Sequence, residues 1–197
     1  MNSALTTRLL AVFPIIVFTC LFIYLGIQSS NFLSLGTLEL ITKQAVPTVI
    51  VSLGLATVVI AGGDDVVAGG IDLSIPATAI ICAAIIADQL TNQGSSLIFA
   101  MTLAFGAAAI IGAVNAFLVV GLRMTPLLAT LSMSVAIVGI TKVITSSRRI
   151  GVTNETIIFI RDGKILGIAA SIVLTAILVL VFYHALHRTR WGMNMQA

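Results

Sequence analysis

In a chain otherwise close to solid hydrocarbon, residues 61–77 read AGGDDVVAGGIDLSIPA, placing three carboxylates, Asp64, Asp65 and Asp72, among four glycines. Carboxylates and hydroxyls in apolar surroundings need hydrogen-bond partners or water, and they rarely occur there without a structural or functional reason. The groups that would make them part of a catalytic machine are missing. The sequence has no GxxxxGK[ST] phosphate loop, no HExxH pair and no GxSxG elbow. Cys20 and Cys82 stand singly in apolar runs, without metal-ligand spacing, and read as packing residues. An intramembrane enzyme would need paired ionisable residues within its apolar segments, and these are nearly free of charge. No catalytic residue and no metal ligand is assigned.

The backbone of this stretch suggests a different role. Its glycines allow turns that other residues resist, Asp72 and Ser74 can accept hydrogen bonds from exposed N–H groups, and Ser74 is placed to cap a helix beginning at Ile75 and Pro76. Non-helical backbone at membrane depth persists only inside protein or beside a water-filled cavity. Residues 61–74 are therefore a break between helices, near a pathway or a tight interface. Asp72 either ties down its own turn or faces that pathway, while Asp64 and Asp65 read as solvated loop.

The elements that must position these residues follow from composition. Of 197 residues, 59% are hydrophobic and 9% charged, where a soluble chain has about a quarter charged, and the mean hydropathy is +1.17. The bilayer is the solvent. A net charge of +3 does not indicate nucleic acid, because the basic residues form no run longer than Arg148-Arg149 and aromatics are 6%. Six apolar runs are candidate membrane helices: about Leu9–Ile27, Ala45–Ala61, Ser74–Asp88, Leu97–Val120, Pro126–Ile144 and Leu166–Tyr183. The third is short for a full span. The expected fold is all-α, a polytopic bundle with a short interfacial helix before the second span, where Leu35, Leu38 and Ile41 recur at helical spacing and Glu39 precedes Lys43 by four. The longest connection, about Thr145–Ile165, carries both signs of charge and reads as a solvated loop or a contact for a soluble partner. It also holds the pattern of a glycosylation sequon at Asn154. The distribution of Lys and Arg does not fix orientation.

Within the fourth run, Ala104, Ala108, Gly112 and Ala116 fall four apart, a ribbon of small side chains along which helices approach closely in lipid. Asn115 in the same run needs a partner, supplied by a neighbouring helix or by a passing ligand.

These residues resemble a known family. GLATVVI at 54–60 followed by GGIDLS at 69–74 is similar to the signature of permease subunits of bacterial ABC importers of the ribose, xylose and autoinducer-2 type. In order, GAVN at 112–115 with Leu118 and Val119, PLLATL at 126–131 with Gly139, and HRTRWG at 187–192 through Ala197 resemble later parts of the same pattern. Residues 62–68 look like an insertion ahead of that motif, and Pro76 and Val138 stand where the family commonly has a small residue and an arginine.

The resemblance implies a translocation pathway for a sugar or sugar-like solute across the bacterial inner membrane. A second permease subunit, a periplasmic solute-binding protein and a separate ABC ATPase that binds the ATP would be its partners, with no cofactor on this chain. Candidate pathway residues are Gln44, Thr57, Asp72, Ser74, Asn115 and Thr130. Gly69, Gly70, Gly112, Pro126 and Gly139 would be structural members of the motif, and Thr189, Gly192 and Ala197 would lie in the region that couples to the ATPase. Family members continue for about four more helices, so the chain resembles the first part of one domain. The alternative is a truncated permease acting at most as a membrane scaffold.

Overall fold

The computed structural model describes residues 3–62 and 71–195, with side chains from residue 12 onward. In chain order the elements are α1 (Ser3–Gln28), α2 (Leu35–Gly62), α3 (Ile75–Thr91), α4 (Leu97–Ala116), a π-helical turn (Phe117–Gly121), α5 (Pro126–Ile144), α6 (Glu155–Asp162), β1 (Lys164–Ile165), β2 (Ile168–Ala169), α7 (Ala170–Arg188) and α8 (Arg190–Met195). Among the described residues the fold is all-α apart from the short antiparallel hairpin of β1 and β2. Among the described residues, α2, α4 with its π turn, α5 and α7 are long and apolar enough to cross a membrane, while Val12–Gln28 and Ile75–Thr91 are shorter apolar helices.

All six expected runs fall on helices, with shifted ends and one merger. The expected interfacial helix does not stand apart: residues 35–44 are helical, but they run unbroken into the second span as α2. Pro47 does not end that helix. The last run starts at Ala170 rather than Leu166, because Leu166 (φ 52°) and Gly167 (φ 84°) form a two-residue type I′ turn between β1 and β2.

The chain forms two compact units, the first ending at Gln44 and the second beginning at Ala45. In the first, the Phe22 ring meets Phe32 edge-on at 5.4 Å, and Ser34 Oγ accepts from Thr37 N–H at the start of α2. Lys43 pairs with Glu39 at 3.0 Å, the i,i+4 contact expected.

In the second unit, α3 packs against α4 and α5. Ala77, Ile81 and Ile137 are its buried centre, surrounded by Ile85, Ile111, Met133 and Ile144. Ala104 of the small-residue ribbon is buried, and the Cys82 thiol donates to its carbonyl at 3.3 Å, so α3 and α4 meet closely there. Phe105, Val120, Val135, Val143 and Leu180 are exposed, as side chains facing lipid are in a bundle of this kind.

The expected loop at 145–165 is partly ordered. Thr91 Oγ1 donates to Gly151 O at 3.0 Å, tying the end of α3 to this connection. Asn154 Oδ1 accepts from the N–H groups of Thr156 and Ile157, so the asparagine of the sequon pattern is the N-cap of α6. Arg161 donates twice to Asp162 Oδ2, which raises the arginine's pKa further. Asn154→Ala is expected to weaken α6 by about 1 kcal/mol. Amide hydrogen exchange should show faster exchange over 155–162 and no change in α3 or α5.

Candidate functional site

The start of α3 organises the site. Pro76 sits in the first turn, where its missing N–H is no loss, and the Ser74 carbonyl accepts from Thr78 N and Thr78 Oγ1, both at 2.8 Å. Ser74 occupies the N-cap position, but its hydroxyl does not cap the helix. Asp72 ties down the turn just ahead of the helix: its Oδ1 accepts from Ser74 N–H at 2.8 Å and from Ser74 Oγ–H at 2.6 Å. A carboxylate at this place also faces the positive end of α3.

Two other helices complete the cluster. Asn115 Nδ2 of α4 donates to Ser74 Oγ at 2.8 Å, and Thr130 Oγ1 of α5 accepts from Leu73 N–H at 3.1 Å while donating to Pro126 O at 2.9 Å. Ser74, Asn115 and Thr130 are 1%, 6% and 4% exposed, so these are interior polar contacts that water does not replace. Pro126 is the first residue of α5, and its carbonyl anchors the threonine that holds the 72–74 turn.

The cluster lies inside the bundle. Thr130 is one turn, roughly 6 Å, into α5, and Asn115 is near the far end of α4, roughly 27 Å from its start. With 17 residues, or about 25 Å, α3 is shorter than a full crossing and begins at this depth. The break between helices is therefore held by hydrogen bonds from two neighbouring helices.

Two cavities flank it. One of about 500 Å³ is bordered by Ile50 and Val51 of α2, Thr78 and Cys82 of α3, and Phe105 and Ala108 of α4. A second of about 280 Å³ is bordered by Val58, Val119, Val120, Pro126 and Thr130. Asp72, Gly112 and Asn115 border both. At Gly112 a Cβ would meet nothing within 4 Å, so beyond Ala104 the small-residue ribbon faces open space rather than a packed helix.

The other candidate positions are more dispersed. Gln44 is exposed on α2, and Thr57 Oγ1 donates to Leu53 O of its own helix; neither borders these cavities. Gly139 is exposed, with nothing near a notional Cβ. Gly69, Gly70, Asp64, Asp65 and Ala197 lie outside the described residues. Thr189 ends α7 in extended backbone: its Oγ1 donates to Ala185 O at 2.6 Å and accepts from Gly192 N–H at 3.3 Å. Gly192 is buried, and any Cβ there would run into the carbonyl oxygens of Ala185 and Leu186. The turn into α8 thus requires both residues.

Sequence reading did not find Thr78 and Cys82 beside the larger cavity, nor the π turn that begins at Phe117, two residues after Asn115. The first two had no signal beyond their spacing from Ser74, four and eight residues along one helical face. Thr130→Val, close in volume, should leave Leu73 N–H without its acceptor and destabilise the protein by roughly 1–2 kcal/mol, whereas Thr130→Ser should stay near wild type. Thermal unfolding of the protein in detergent measures the difference.

A multi-helix membrane protein whose short third helix begins at a buried hydrogen-bonded break is the class that this architecture defines. Residues 37–197 match the family model described as branched-chain amino acid transport system / permease component, and the chain belongs to that family. It is a multi-pass protein of the bacterial inner membrane. Among curated proteins it is 29% identical over 157 residues to a galactofuranose transporter permease of Escherichia coli, covering 80% of this chain and 44% of that protein. It is 33% identical over 132 residues to a fructose import permease of Bifidobacterium longum, covering 65% and 37%. Over 174 residues it is 29% identical to a ribose import permease of Escherichia coli, covering 86% and 51%. The chain thus spans about half the length of these relatives or less. No solved structure matches it.

Proposed function

We propose that this chain forms part of the solute pathway of an ATP-driven importer, together with a second permease subunit. A periplasmic solute-binding protein delivers the solute, and a separate ABC ATPase binds and hydrolyses the ATP. The solute class is a neutral, hydroxylated small molecule of the kind named for the relatives, a monosaccharide above all. The observation that carries this reading is the Asp72, Ser74, Asn115 and Thr130 cluster at membrane depth, bordered by two cavities in an otherwise apolar bundle. Such a cluster offers hydrogen bonds to hydroxyl groups without a fixed positive charge.

Three parts of the chain have a place in this scheme. The ribbon from Ala108 to Ala116 leaves room beside α4, the 72–74 turn fixes the polar groups, and the Thr189–Gly192 turn presents α8 at the end of the bundle where α7 finishes. Isolation of the affinity-tagged protein, expressed from its own gene in native membranes, tests the reading. An ABC ATPase in stoichiometric amount with vanadate-sensitive ATP hydrolysis is expected. A preparation that holds no ATPase contradicts it.

A further inference from the structure

Asn115 Oδ1 is buried and has no hydrogen-bond partner among the described residues. The direction of this amide follows from its neighbours. Ser74 Oγ gives its one proton to Asp72 Oδ1 at 2.6 Å, so toward Asn115 it can only accept, and the group 2.8 Å from it must be Nδ2. The carbonyl end is left over. A buried acceptor without a donor costs stability, and an apolar side chain of similar size would avoid that cost.

The position of this oxygen suggests what satisfies it. Asn115 borders both cavities, as do Asp72 and Gly112, and Gly112 lies three residues earlier on the same face of α4. The junction between the cavities therefore pairs a side chain held by a hydrogen-bond chain with a single helix position, Gly112, that carries no side chain. In the present conformation Oδ1 is closed off from solvent, so a donor reaches it only when the surrounding helices part.

Building on the importer reading, we infer that Asn115 is a solute-contacting residue. Its Oδ1 accepts a hydrogen bond from a hydroxyl of a neutral polyol passing between the two cavities, while the Asp72–Ser74 pair holds the amide in the orientation that makes this possible. An acceptor backed by a carboxylate favours O–H donors and disfavours anions, which separates sugars from sugar phosphates and carboxylates. The missing bond is made only in the opened state, so solute occupancy favours opening by the strength of that bond.

Uptake of ¹⁴C-labelled D-ribose, D-fructose and D-galactose by cells carrying the importer, wild type or Asn115→Leu, tests this. The variant is expected to lose about tenfold in the uptake rate of whichever sugar the wild type takes up, the worth of one hydrogen bond. Membrane level and co-isolated ATPase should be kept, and the midpoint should change little, because relief of the unpaired Oδ1 offsets loss of the Nδ2 bond to Ser74 Oγ. Uptake at the wild-type rate by assembled Asn115→Leu overturns the contact and leaves the importer reading intact. If Asn115→Leu fails to assemble, Asn115→Cys replaces it, with Cys20→Ser and Cys82→Ser because Cys82 borders the larger cavity. Maleimide labelling at position 115 should then appear during ATP turnover and slow when sugar is present. A site that stays unreactive, or reacts at a rate sugar does not change, overturns the proposal. A wild type that takes up none of the three sugars removes the sugar-importer reading and the contact with it.

Discussion

Gly192→Ala is expected to be the most damaging single-methyl change in the described part of the chain. The added carbon has no direction in which to move, because the atoms it meets are the backbone carbonyls of Ala185 and Leu186 rather than the end of a flexible side chain. The turn must open, and with it go the Thr189 Oγ1 bonds to Ala185 and Gly192. A loss of about 3 kcal/mol is expected, the upper end of overpacking effects. Thermal unfolding in detergent should show it, and trypsin should cut faster at Arg188 and Arg190, both exposed beside the turn. Gly139→Ala is the control. With open space around that position, helix propensity alone should leave stability unchanged or slightly raised.

The second large effect is expected at Asp72. Replacement by alanine removes the acceptor of two bonds at once and leaves the N–H and O–H of Ser74, a residue 1% exposed, without partners. At roughly 1–3 kcal/mol for each of the two buried unsatisfied groups, a loss of roughly 2–6 kcal/mol follows. Asp72→Asn keeps a carbonyl oxygen in the same place and should recover most of the stability. Chemical or thermal unfolding of both variants distinguishes the charge from the acceptor. Equal losses in the two would mean that the negative charge itself holds the start of α3.

The membrane helices were legible because lipid demands long apolar runs, and a run such as PLLATLSMSVAIVGITKVI between polar connections leaves one solution. The connections were harder. Residues 35–44 carry a charged pair and helical leucine spacing, which describes an interfacial helix and the first turns of a longer helix equally well, and only the backbone at Gln44 distinguishes them. In the 145–165 connection, Asn154 met a glycosylation pattern and a helix-cap pattern at the same residue, and eight following residues are too few to show a clear period. At the candidate site, the residue types were visible but their partners were not. Ser74 and Asn115 are 41 positions apart, and nothing local to either says that the other satisfies it. Asp72 is the case where the plainest expectation, an aspartate tying down its own turn, describes the geometry, and the same turn also borders both cavities.

Solute uptake tests the central claim most directly. Cells lacking the gene for this chain, and the same cells with it restored, would be compared for ¹⁴C-labelled D-ribose, D-fructose and D-galactose at micromolar concentration. The importer account predicts that energy-dependent uptake of at least one of these sugars disappears with the gene and returns with it. Identical uptake of all three with and without the gene would contradict it.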